Sequence, residues 1–151
     1  MIELNITALT HFTKLYLHDM LKRGKGKIMN VASTGAFQPC PTMSVYCATK
    51  AYVLSFSEAI GNELRGTGIT VTALCPGPTK TDFDKIADME SSRVYTNKHL
   101  PSAREVAAYG YTAMMKGRTV AIHGIMNFIF SNSVRFVPRA LVLKVARKMI
   151  G

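Results

Sequence analysis

The sequence predicts an α/β domain built on a parallel sheet. Three observations carry that expectation: short apolar runs at 27–32, 69–75 and 119–123, helical periodicity in the segments between and around them, and Gly or Pro at most of the junctions. The 151 residues, 48% of them hydrophobic, suffice for one globular domain, and no internal repeat or linker divides them.

From Glu3 to Lys22, the residues Leu4, Ala8, Phe12, Leu15 and Met20 recur near helical spacing, and Gly24-Lys25-Gly26 stops the helix. Lys27 to Ala32 is apolar on both faces and reads as a central parallel strand covered by helices. A turn holding Pro39 and Pro41 leads into a long helix, Ser44 to Arg65. Val45, Ala48, Tyr52, Phe56, Ile60 and Leu64 form its apolar stripe, and Gly66 and Gly68 end it. Ile69 to Cys75 is the second strand, followed by CPGPTKTDF and a loop of little periodicity to Pro101. Ser102, with Glu105 three residues on, forms a capping box for a helix to about Lys116. Thr119 to His123 is the third strand, and about 127–149 is a basic amphipathic helix that Pro138 can break. Three strands are few for such a sheet, and an edge as apolar as Lys27 to Ala32 invites aggregation, so further strands are expected upstream.

Charge and cysteine content narrow the function classes. The formal net charge is +10, and after Glu105 there is no acidic residue, whereas Lys116, Arg118, Arg135, Arg139, Lys144, Arg147 and Lys148 follow. Such a surplus attracts acidic partners, an anionic membrane or an acidic carrier protein among them, or simply solubilises the surface. No nucleic-acid motif of recognised geometry occurs, so nucleic acid is not expected as a partner. Cys40, Cys47 and Cys75 have no paired or metal-ligand spacing, and the four His are scattered, so no metal site is expected. The odd cysteine count and the absence of a signal-peptide pattern fit a reducing, cytoplasmic location. In the stretch 135–148, Phe136, Leu141, Leu143 and Val145 interleave with cations. That segment could lie in a membrane interface, but its alternation favours an ordinary terminal helix packed on the sheet or on a partner.

The chemistry concentrates between Ser33 and Lys50, in STGAFQPCPTMSVYCATK. Tyr46 and Lys50 are four apart on the predicted helix and share a face. A phenol near pKa 10 is a poor proton donor or acceptor at neutral pH, and an ammonium held nearby is expected to bring it down toward the working range. Ser33, at the carboxyl end of the first strand, could hydrogen-bond a substrate oxygen, because ligands of open α/β sheets bind beyond the carboxyl ends of the strands. The plainer alternative makes Tyr46 a half-buried helix residue, Lys50 a solvated one and Ser33 a strand-end cap.

Taken together, these residues resemble the short-chain dehydrogenase/reductase family over nearly the whole chain. Gly26 to Ser33 is similar to that family's strand ending in the catalytic Ser, Tyr46-Cys47-Ala48-Thr49-Lys50 to its Y-x-x-x-K, and Pro76-Gly77-Pro78-Thr79-Lys80-Thr81 to its P-G-x-x-x-T. Asn5, within ELNITAL, stands where the family's helix carries a catalytic Asn. The resemblance implies the carboxyl-terminal half of a Rossmann-type doubly wound sheet, with the glycine-rich phosphate-binding turn upstream, since no G-x-x-x-G-x-G occurs. It implies NAD(P)-dependent carbonyl reduction or alcohol oxidation, with either NAD or NADP as cofactor. Tyr46 would move the proton, Lys50 would lower its pKa and hold the nicotinamide ribose, Ser33 would polarise the substrate oxygen, and Asn5 would hold a relay water. Pro76, Gly77, Thr79 and Thr81 would line the nicotinamide. Phe37, Met43 and Phe83 point to an apolar substrate such as a ketone or acyl chain. A homodimer through the helices Glu3 to Lys22 and Ser44 to Arg65 is implied as well. The alternative is a non-catalytic, truncated remnant that keeps a dimerisation surface; the epimerase branch that shares Y-x-x-x-K is disfavoured by P-G-x-x-x-T.

Overall fold

A computed structural model describes residues 1–82 and 100–150. Within them the chain alternates helix and strand: α1 (Leu9–Arg23), β1 (Gly26–Val31), α2 (Ser44–Glu63), β2 (Ile69–Cys75), α3 (Ala103–Met115), β3 (Val120–Ile122), α4 (Ile125–Ser133) and α5 (Arg139–Ile150). A π-helical stretch, Glu3–Ala8, leads into α1, and 3-10 turns at Thr34–Phe37 and Val134–Phe136 precede α2 and α5. The three strands form one parallel sheet in the order β1-β2-β3, with Ile28 opposite Val71 and Leu74 opposite Ala121.

Among the described residues β2 lies between β1 and β3, and β1, read as a central strand with further strands expected beside it, pairs here with β2 alone. Burial follows the topology: β2 is enclosed along nearly its whole length, whereas Val31 at the end of β1 is half exposed. Apolarity on both faces records what covers a strand above and below, not what pairs with it laterally.

Alternate residues of β2 serve opposite faces of the sheet. Ala73 and Cys75 join Ala32, Val53, Leu54 and Ile122 beneath α2, and Ile69 and Val71 join Leu64 together with Leu17 and Met20 of α1. Leu74 points the other way, into a cluster with Val106 and Ala113 of α3 and Ala121 of β3. Each fully buried Val or Leu contributes about 1.5–3 kcal/mol relative to exposure. One polar link crosses the first layer: the Asn30 amide of β1 donates to Ser57 Oγ at 3.0 Å, and Ser57 donates to the Val53 carbonyl at 2.7 Å. All these groups are buried, so their pairing fixes where α2 sits along β1.

The ends of the elements have local causes. Gly24 closes α1 in the left-handed region at φ 64°. Ser102 and Glu105 form the expected capping box at α3, with the Ser102 N–H donating to the Glu105 carboxylate at 2.7 Å. The basic region at about 127–149 is broken near Pro138, as expected, into two helices, α4 and α5, separated by the 3-10 turn and by a ring that cannot continue a helix.

Gly68 adopts φ +77°, and a Cβ there would collide with the Gly24 carbonyl, whereas Gly66 at φ +81° faces open space. Gly66→Ala is expected to lose about 1–2 kcal/mol from the left-handed backbone alone. Gly68→Ala should lose that plus about 1–3 kcal/mol of overpacking. Urea denaturation of the two variants checks this, and equal losses would show that the approach of Gly24 to Gly68 is unimportant.

Candidate active site

The carboxyl ends of β1 and β2 are tied together beyond the strands themselves. Ala32 N–H donates to the Leu74 carbonyl at 2.7 Å and Thr34 N–H to the Pro76 carbonyl at 2.8 Å, so Ser33 and the Pro76-Gly77 turn emerge side by side. Ser33 caps the following 3-10 turn, its Oγ accepting from Gly35 N–H at 3.0 Å. The chain then returns through Gln38–Met43 to start α2, whose first turns carry Tyr46 and Lys50.

Tyr46 stands over Ser33, and their hydroxyls are hydrogen-bonded. Lys50 reaches back under the helix, its Nζ donating to the Val31 carbonyl at 2.9 Å and lying 5.8 Å from the centre of the Tyr46 ring. Asn5, in the π-helical stretch, donates through Nδ2 to Thr49 Oγ1 at 3.0 Å, and Thr49 donates to the Tyr46 carbonyl at 2.8 Å. The wide turn thus secures the helix that carries the phenol, in keeping with the frequent placement of π-turns at functional sites. Thr79 Oγ1 donates to the Gly77 carbonyl at 2.9 Å and stiffens the turn after β2. Gly77 lacks a side chain for a reason: a Cβ there would run into the Asn127 side chain of α4.

These groups share one cavity of about 760 Å³, within the range of small-molecule sites. Asn5, Ser33, Tyr46, Lys50, Pro76, Gly77, Thr79, Thr81 and Met43 all stand on its wall. Phe37 does not: it packs against the core beside Ala32 and Val53, because the 3-10 turn carries it under α2 instead of toward the cavity. Phe83 lies outside the described residues. Sequence reading missed Thr49, which looks like filler inside Y-x-x-x-K, and Ala146 and Met149 of α5, which close the cavity from more than sixty residues beyond the motifs. Only the i+3 spacing of Thr49 from Tyr46 hinted at its role.

Two further expectations are corrected. Cys40 and Cys47, read as unpaired, form a disulfide with Cα atoms 6.1 Å apart, since the Pro39–Pro41 turn folds the chain back onto the first turn of α2. Cys75 is then the free thiol; burial pushes it up to about 12, with Glu58 acting in the same direction, so it is not a nucleophile at neutral pH. The second concerns Tyr46. Its pKa lies above the usual phenol value, because burial outweighs the opposing hydrogen bond with Ser33. Burial also lowers Lys50. Desolvation disfavours whichever form is charged, so it works against phenolate and ammonium alike and keeps the proton on Tyr46. The site therefore holds a neutral phenol, a proton donor, beside a lysine that releases its proton more readily than usual.

Because the native state binds the phenol proton more tightly than the unfolded chain, the contribution of Tyr46 to stability is complete below about pH 10 and is lost as pH rises through the higher native value. The difference in phenolate absorbance between the protein and its Tyr46→Phe variant is expected to titrate above pH 10, the other tyrosines cancelling. A midpoint below 10 would show that the Lys50 charge prevails over burial.

Comparison with known proteins identifies the family. The sequence matches the short chain dehydrogenase family over residues 1–91. It is 32% identical to a very-long-chain 3-oxoacyl-CoA reductase from Macaca fascicularis across 99% of this chain and 45% of that protein. It is 40% identical over 85 residues to the 17-beta-hydroxysteroid dehydrogenase type 3 of Mus musculus, covering 56% of this chain and 28% of that protein. The structure of a short-chain dehydrogenase from Sphingobium yanoikuyae in complex with NADPH superposes on 89% of this chain and 53% of its own, with TM-score 0.73 and 29% identity. The chain spans about half the length of the relatives it matches over its whole extent. With three parallel strands, flanking helices and the Ser33, Tyr46 and Lys50 cluster in one cavity, the chain belongs to the short-chain dehydrogenase family.

Proposed function

We propose that this chain supplies the proton-transfer half of an NADPH-dependent reduction of an apolar ketone, a 3-oxoacyl thioester or a compound of similar bulk. The observation that carries this reading is the neutral, half-buried Tyr46 phenol hydrogen-bonded to Ser33 at the carboxyl edge of the sheet. A carbonyl oxygen brought against the two hydroxyls would accept a hydrogen bond from Ser33 and then the Tyr46 proton as its charge develops. The resulting phenolate lies close to Lys50, whose lowered pKa favours return of a proton to Tyr46.

The residues present fit the nicotinamide end of such a cofactor. The Pro76-Gly77 turn, Thr79, Thr81 and the Lys50 ammonium border the same cavity. When bound there, the nicotinamide would supply the hydride. The choice of NADPH rests on the complex of the similar Sphingobium enzyme. The substrate class rests on the names of the relatives and on a wall that includes Leu4, Met43, Val106 and Met149.

Tyr46→Phe removes the proton donor and leaves the ring and its packing in place. The loss in kcat is expected to be about 10² to 10⁴, the usual contribution of general acid catalysis. Activity on 3-oxoacyl substrates within a factor of about three of the parent would remove Tyr46 from this role. Titration of the purified chain with NADPH, read by nicotinamide fluorescence, separates this reading from that of a non-catalytic remnant, which would produce no saturable signal.

We also propose that α1, with the start of α2, forms a two-fold contact with a second copy. Phe12, Leu15 and Tyr16 are exposed together on α1, Phe12 stacks on Tyr16 with ring centres 6.3 Å apart, and Val45 is exposed on α2. Two-fold pairing is the common way such faces are covered. Leu15→Glu is expected to convert a dimer into a monomer in sedimentation velocity, and a parent that is already monomeric at micromolar concentration would refute the contact.

A further inference from the structure

The α4 helix is built inside out. Its nine residues read IMNFIFSNS, and the two positions one turn apart that face the protein are polar. Asn127 donates to the His123 carbonyl at 2.8 Å and packs against Gly77, and Ser131 is almost wholly buried. The large apolar side chains point the other way: Ile125 is 71% exposed, and Met126, Phe128, Ile129 and Phe130 are each exposed by half or more. Phe136, in the 3-10 turn that follows, is 87% exposed. A helix on the surface of a protein in water normally shows the reverse arrangement, and contiguous apolar surface of this kind marks a contact site.

Charge selects the partner. Every ionised side chain after Glu105 is basic; Arg135 adjoins the exposed Phe136 in the chain, and Arg139 follows three residues on. A second copy of the chain applied to this face would bring like charges together, which opposes the contact. An anionic bilayer supplies both complements at once, acyl chains for the apolar side chains and headgroup charge for the cations. At nine residues α4 is about 13 Å long, and no described helix is long and apolar enough to cross a membrane. The geometry is that of a helix lying in the interface.

We propose that the outer face of α4, with Phe136 and the basic residues around it, docks on an anionic lipid surface. The basic helix α5 does not provide the buried face of this contact: Val142 and Ala146 are packed inward, as in an ordinary terminal helix. Its Arg147 and Lys148 add to the positive field. Docking is independent of the redox chemistry proposed for the cavity, and a protein that failed every reductase assay would still be expected to bind lipid.

The chain contains no Trp, so Ile129→Trp places a single reporter at the centre of the face. With phosphatidylcholine vesicles containing phosphatidylglycerol, its emission is expected to shift to the blue and the protein to co-sediment at low salt. Binding should be about tenfold or more weaker to phosphatidylcholine alone, as loss of a few cation–headgroup attractions requires, and should weaken as salt rises. Ile125→Glu with Phe128→Glu, in the same background and with unchanged circular dichroism, should abolish the shift and the co-sedimentation. No binding to anionic vesicles at low salt would overturn the proposal. So would binding that survives the double Glu variant, since charge alone would then explain it. A halving of solution mass caused by the double variant would assign the face to a second copy and overturn it as well.

Discussion

The hydrogen bond from Thr34 N–H to the Pro76 carbonyl holds the candidate site together. It extends the parallel register of β1 and β2 past the last paired residues, so that two segments more than forty residues apart leave the sheet at one point. Ser33 and the Pro76-Gly77 turn are neighbours for that reason. The buried Asn30–Ser57 bond then sets α2 along β1, and the position of Tyr46 over Ser33 follows from it. Lys50 completes the frame by bonding the Val31 carbonyl at the same strand end. Ser33, Tyr46, Lys50 and the Pro76-Gly77 turn thus depend on one parallel pairing and one buried polar contact. A slip of the register by a single residue would reverse the faces and scatter them.

Within that frame, desolvation governs the chemistry. Burial disfavours the charged form of each group, so it raises the pKa of Tyr46 and lowers that of Lys50. A phenol that keeps its proton can donate it, as the proposed reduction requires. The hydroxyl of Ser33 tempers the effect without reversing it.

The apolar surfaces of the molecule fall into two kinds. On α1 the exposed aromatic residues occur beside both acidic and basic side chains, a mixture that a second copy can complement. On α4 they occur in a stretch with cations only, over an inward face of Asn and Ser. The same hydrophobic driving force therefore points to different partners, and charge distinguishes them.

How much of this was legible beforehand depends on the range of the interactions involved. The strand and helix positions, the capping box at Ser102, the break at Pro138 and the family resemblance were all readable, because periodicity, capping and short motifs are local properties of the chain. The sequence by itself determined that an α/β unit forms and that Asn5, Ser33, Tyr46, Lys50 and the Pro76-Gly77 turn are the residues to watch. It did not determine that Phe37 turns into the core, that Cys40 meets Cys47, or that the pKa of Tyr46 rises. Nor did it show that α4 presents its apolar side outward, since a helical stripe is the same whichever way it faces. Only the tertiary structure decided these, because each depends on what other parts of the chain place beside a residue: a turn that folds back, and the amount of water left around a charge.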